Sequence, residues 1–195
     1  MGFLLEKIKQ FIHLSETEEQ ILEELFVEKH FAGGDFFLRE NQICRQLGLI
    51  HRGMVRYYIN AGGEDKTYFF GKEGDFVCEY ESFLQQVPGD NNIQVMEDSS
   101  IFLINFEGLQ RVYAEIKEGN LFGRLGIEQV FVSILQQLAS FYNDLPELRY
   151  RRFLESFPDI VQRVPQYYIA SYVGIKPQSL SRIRNRAKKN IYKPG

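Results

Sequence analysis

The chain has 195 residues, 44% of them apolar and 25% charged, with a formal net charge of −3. That length buries one good core and a small second one. No stretch approaches the roughly 18 consecutive apolar residues of a membrane helix, and residues 1–14 interrupt their apolar positions with charge, unlike a secretory leader. Cys44 and Cys78 are the two cysteines. Their spacing supports neither a disulfide framework nor a four-thiolate iron–sulfur cluster, and both read as small core residues. The cytoplasm is the expected location, with no membrane partner, and no repeat or low-complexity segment stands out.

Residues 3–31 read as helical. Leu4, Leu5, Ile8, Phe11 and Ile12 recur at helical spacing, and Ser15-Glu16-Thr17-Glu18 has the pattern that caps a second run, Ile21, Leu22, Leu25 and Phe26. His13 and His30 fall at the ends of these helices and read as surface or capping residues, because neither has a metal-ligand partner at suitable spacing. From Ala32 the texture changes. Residues 36–38, 47–50, 55–59, 67–70, 76–78, 93–95 and 101–104 are rich in β-branched and aromatic side chains and are separated by Gly- and Asp-containing turns. Short strands at this spacing predict a β-barrel or jelly roll. The tyrosines of Arg56-Tyr57-Tyr58-Ile59 read as its wall.

A long helix is expected over residues 120–143. Ile127, Phe131 (or Val130), Ile134, Leu138 and Phe141 form one apolar seam, with Leu125, Val132, Leu135 and Tyr142 in a second stripe beside it. One stripe is expected to face the roll and the other a second copy of the chain; alternatively, the chain's own domains cover both. Asp144-Leu145-Pro146-Glu147 marks the boundary, giving segments 1–119, 120–143 and 144–195. A helix over 147–157 carries Arg149, Arg151 and Arg152, and Pro158 interrupts before Ile160, Val161 and Val164.

Residues 165–184 then read as two short helices joined by a tight turn. Pro165 and Pro177 can each open a helix, Gly174 supplies the reversal, and Ala170 is small where the helices touch. Ile169, Val173, Ile175, Leu180 and Ile183 fall where crossed helices bury apolar side chains. The exposed side of the second helix carries Gln178, Ser179, Ser181, Arg182 and Arg186, which can bond base edges or phosphates. Charge agrees. Residues 165–195 hold seven Lys or Arg and no Asp or Glu; residues 143–195 have net charge +7, leaving −10 for residues 1–142. A polyanion is attracted to one end of the chain and repelled by the other.

The order of these elements, with Pro146-Glu147-Leu148-Arg149-Tyr150 and residues 165–175, resembles the cyclic-AMP receptor and Fnr family of bacterial transcription regulators over nearly the whole chain. The resemblance implies an α+β fold: an N-terminal cyclic-nucleotide-binding-type β-roll, or jelly roll, a long dimerisation helix, and a C-terminal helix-turn-helix domain. It implies a homodimeric, sequence-specific regulator whose partners are double-stranded DNA, a second copy of the chain and RNA polymerase. The family's base-reading positions match Pro177, Gln178 and Arg182. Arg182 can hold guanine O6 and N7 bidentately, worth about 1–3 kcal/mol of discrimination. Pro177 can make no polar base contact, and Lys176 stands where a Ser or Thr cap is expected, a difference of about 1 kcal/mol. Ser179, Ser181, Arg184, Arg186 and Lys188 are assigned to phosphates. The residues that follow the second helix are expected to be too few for a β-wing, so Lys188, Lys189 and Lys193 read as a basic tail.

The effector pocket departs from the family pattern. Cyclic-AMP-binding members carry Gly-Glu followed by Arg-Ser or Arg-Thr, whereas this chain has Cys78-Glu79 and then Gly89-Asp90-Asn91. A carboxylate in place of a guanidinium repels the cyclic phosphate, a difference of roughly 4 kcal/mol for unit charges about 4 Å apart at intermediate dielectric. Glu79, Asp90 and Asn91 are the candidate pocket residues, Glu79 being a relic, a ligand residue for another effector, or a loop carboxylate. Cyclic AMP is not expected, and no cofactor is assigned. An enzyme on a cupin-like roll is not expected either: the β region has only His51, and no catalytic triad, phosphate loop or redox cysteine motif stands out. The alternative function is a cyclic-nucleotide or small-molecule sensor acting through protein partners.

Overall fold

A computed structural model describes the backbone of residues 1–191 and the side chains of residues 1–186. Helix α1 (Gly2–Lys9) buries Leu4, Leu5 and Ile8. Helix α2 (Glu16–Leu25) starts at a reciprocal capping box between Ser15 and Glu18, which satisfies two otherwise unpaired N–H groups. It ends at Phe26, whose backbone is extended. Strand β1 (Val27–Phe31) follows, correcting the helix expected through residue 31. Its partner is β8 (Ser99–Asn105), in antiparallel register from Val27 opposite Leu103 to Phe31 opposite Ser99. His30 therefore sits within a strand. Residues 27–31 are mostly exposed, so their local pattern carries little strand signal. Pairing with a strand some 70 residues away decides their conformation.

Strands β2 (Phe36–Leu38), β3 (Gln46–Arg52), β4 (Val55–Ala61), β5 (Glu64–Gly71), β6 (Phe76–Val77) and β7 (Asn92–Val95) lie where strands were expected. They form two four-stranded sheets, ordered β1-β8-β3-β6 and β2-β7-β4-β5. Leu49, Ile50 and Phe102 from the first sheet and Val55, Ile93 and Val95 from the second share one core with α1 and α2. At Gly48 a Cβ would lie 2.6 Å from Ile101 Cγ2 and 2.8 Å from Val77 Cγ1, so glycine is what lets the flanking strands close on β3. Two further helices, α3 (Tyr80–Gln85) and α4 (Phe106–Glu115), were not expected from sequence. Their first turns are capped by the side chains of Glu79 and Asn105.

Helix α5 (Gly119–Asn143) buries only Gly119 and Phe122. It is followed by α6 (Pro146–Ser156), α7 (Ile160–Arg163), α8 (Gln166–Val173) and α9 (Pro177–Ile191). Among the described residues, no strand follows β8. By contact the chain divides into two compact units, Met1–Ile59 with Phe69–Phe131, and Asn60–Tyr68 with Val132–Gly195. No helix of the described residues is long and apolar enough to cross a membrane.

Candidate nucleic-acid interface and effector cavity

The second unit has its own core. Tyr150 and Phe153 of α6, Ile160 of α7, Ile169, Ala170 and Val173 of α8, and Leu180 and Ile183 of α9 are buried, whereas Ile175 is half-buried. Helix α8 ends where Gly174 turns left-handed at φ +74°, and its carbonyls are satisfied by Gly174 N–H to Ser171 and Ile175 N–H to Ala170. The Lys176 carbonyl accepts from the N–H groups of Ser179 and Leu180, starting α9. Arg149 locks this assembly. Its guanidinium donates to the carbonyls of Val173 at 2.8 Å, Asp144 at 3.0 Å and Phe141 at 3.3 Å, joining the ends of α5 and α8 to α6. Arg152 pairs with Asp144 at 2.8 Å. Sequence reasoning had counted both arginines only as positive charge.

With Leu180 and Ile183 turned inward, Gln178, Ser181, Arg182 and Arg186 are exposed on α9, while Ser179 and Arg184 are half-buried. Gln178, Arg182 and Arg186 are spaced by four and share one helix face. Arg186 lies 3.7 Å from Glu147, with both side chains largely in solvent, so the contact is weak and easily exchanged for another anion. The side chain of Lys188 and the basic tail with Lys189 and Lys193 lie outside the described residues. Burial raises the phenol pKa of Tyr172 to about 12; its ring packs 5.2 Å from that of Phe153.

Ser171 was missed by sequence reasoning. Its Oγ accepts the Thr67 N–H at 2.9 Å and donates to the Asp65 carbonyl at 3.0 Å, and Gln137 donates to the Tyr68 carbonyl. The tip of the β4–β5 hairpin is thereby bonded to the first helix of the pair. No local signal in the sequence marks a serine for this role.

On α5, Ile127, Phe131, Ile134, Leu138 and Phe141 are 38–60% exposed. In the second stripe Leu125 is half-buried, while Val132 is 51%, Leu135 47% and Tyr142 82% exposed. Apolar positions run around most of the helix circumference, so spacing alone could not say which stripe is covered. Phe141 has a role inside the subunit as well, beneath the Arg149 guanidinium at 5.0 Å from its ring centroid.

In the roll, Glu79, Asp90 and Asn91 line one cavity of about 150 Å³ with Glu81, Ser82, Val87, Pro88 and Gly89. Glu79 is 9% exposed; it accepts from Ser82 N–H at 2.7 Å and Asn91 Nδ2 at 3.0 Å. A Cβ at Gly89 would sit 2.9 Å from Glu79 Oε2. Three carboxylates and no cation line this cavity. Arg56 is instead buried in β4, donating to Gln94 at 3.0 Å and stacked on Tyr58 at 3.9 Å. Among the described residues, no group of three or more His, Cys, Asp or Glu is placed to hold a metal ion.

An eight-stranded roll, a long helix with exposed apolar side chains and a helix-turn-helix define the class. Residues 28–116 match the cyclic nucleotide-binding domain family. The structure is similar to that of FixK2 from Bradyrhizobium japonicum, with TM-score 0.74, 13% identity and 85% of each chain covered. It is also similar to a CooA mutant from Carboxydothermus hydrogenoformans, with TM-score 0.68, 21% identity, and 87% of this chain and 79% of that one covered. A third similar structure is CLP, the c-di-GMP-responsive global regulator of Xanthomonas campestris, with TM-score 0.69, 13% identity, and 93% and 96% covered. No curated protein matches the sequence. The chain thus carries a cyclic nucleotide-binding domain in the fold of the Crp/Fnr transcription regulators.

Proposed function

We propose that this protein is a homodimeric, sequence-specific DNA-binding transcription regulator. The observation that carries the reading is the face of α9. Burial of Leu180 and Ile183 leaves Gln178 and Arg182 in solvent one helical turn apart, the spacing at which a helix in the major groove reaches base edges. Ser179, Ser181, Arg184 and Arg186 flank them as phosphate contacts, and Lys188 extends the positive charge. In this reading residues 1–119 sense, 120–143 dimerise through Ile127, Phe131, Ile134, Leu138 and Phe141, and 144–195 bind DNA. The two-fold axis sets half-sites about 34 Å apart.

The effector is a ligand without phosphate charge. Glu79, Glu81 and Asp90 surround the cavity, and their field opposes a cyclic phosphate while favouring a cationic or donor-rich molecule. Calorimetry with cyclic AMP is expected to give no heat of binding. Selection of bound duplexes from a random pool should return a two-fold symmetric motif. Against that motif, Arg182→Ala should weaken binding by about 1–3 kcal/mol, roughly 5- to 150-fold, and relax preference at one base pair per half-site. Unchanged preference in the same selection would remove Arg182 from the readers, and failure to enrich any duplex would end the reading.

A further inference from the structure

Cys44 and Cys78, 34 residues apart in sequence, place their sulfurs 3.9 Å apart in the roll. Cys44 is 1% exposed and Cys78 is half-buried, so Cys78 is the more accessible of the two residues. Each is held from a different side. The Cys44 N–H donates to Ser82 Oγ at 2.9 Å and its thiol to the Gln46 carbonyl at 3.3 Å, while the Cys78 N–H donates to the Tyr57 hydroxyl at 3.2 Å. Ser82 and Glu79, the residue after Cys78, both line the cavity.

We propose that Cys44 and Cys78 form a reversible disulfide in response to a small peroxide, a redox-modifiable site beside the cavity. The sulfurs must close from 3.9 Å to about 2.05 Å, a movement within reach of side-chain rotation. In the first step the Cys78 sulfur attacks one peroxide oxygen, the O–O bond breaks, and the leaving hydroxide departs with the thiol proton as water. This leaves a sulfenic acid on Cys78. In the second, the Cys44 sulfur attacks the Cys78 sulfur, the S–O bond breaks, and hydroxide leaves with the Cys44 proton as a second water. Two thiols lose two electrons, and the peroxide gains them.

The inference stands apart from the DNA-binding reading, because every readout is on sulfur. Full-length protein treated with hydrogen peroxide, then denatured and alkylated, should lose the mass of two hydrogens and take up no alkyl group. Its proteolytic map should join the peptides holding Cys44 and Cys78, and dithiothreitol should restore both thiols. In Cys44→Ser, which lacks the resolving sulfur, dimedone should trap the sulfenic acid on Cys78. In Cys78→Ser, the buried Cys44 should be left unoxidised at the same dose. Two free thiols after treatment, oxygenated sulfurs with no cross-link, or a bridge formed only between chains on a non-reducing gel would each overturn the proposal.

Discussion

Gly174 reverses the chain between α8 and α9 at φ +74°, and a Cβ there would come within 2.8 Å of Phe141 Cζ. Both its conformation and its missing side chain are used. A left-handed L-residue carries a penalty of about 1–2 kcal/mol, and the clash with the ring adds to it. Gly62 provides the comparison: its φ is +65°, but a Cβ there meets nothing within 4 Å. Gly174→Ala should therefore lower the stability of the protein to chemical denaturation by about 2 kcal/mol or more, and Gly62→Ala by about 1 kcal/mol. Equal losses would mean that the approach of Phe141 contributes nothing to the turn.

Among the elements, α5 presents the sharpest imbalance between composition and burial. Phe131 is 60% exposed and Leu138 52% exposed in the single chain, and a helix this apolar is stabilised by covering such side chains. Each removes about 1.5–3 kcal/mol of unfavourable exposure when buried, and in a two-fold interface each counts twice. The double variant Phe131→Glu, Leu138→Glu should raise the dimer dissociation constant by about 100-fold or more. Analytical ultracentrifugation reads this, with far-UV circular dichroism checking that the helix is retained. A variant that sediments like the parent would show that the dimer, if formed, uses another surface.

For the whole molecule, charge is segregated. A net charge of −3 and a pI near 5.7 suggest no affinity for a polyanion, yet residues 143–195 carry +7 against −10 for residues 1–142, so a polyanion such as DNA should be drawn to the C-terminal segment. Binding should weaken steeply with salt, and each phosphate contact removed should reduce the slope of log K against log salt by about 0.9. Arg186→Gln is the direct test, since among the described residues its ion pair is an exposed contact at 3.7 Å to Glu147, which is easily exchanged. A salt slope identical to the parent's would place Arg186 off the backbone of the duplex.

What the sequence determined by itself was whatever depends on neighbours along the chain. The helix pair at Pro165, Gly174 and Pro177, the capping box at Ser15, the long helix from near residue 120 and the strand texture from Phe36 to Ile104 all rest on propensity, caps and periodicity. Charge segregation is a property of residue order along the chain and needed no fold. The tertiary structure decided what depends on residues far apart in sequence. Val27–Phe31 is a strand because β8 offers it a hydrogen-bonding edge, although its own residues continue a helical pattern. Arg149 is a clasp on three carbonyls because two helix ends converge on it. Cys44 and Cys78 are a pair because the roll brings two segments together. Each of these contacts closes a loop whose free-energy balance is set by packing at both ends, and neither end carries a local mark of the other.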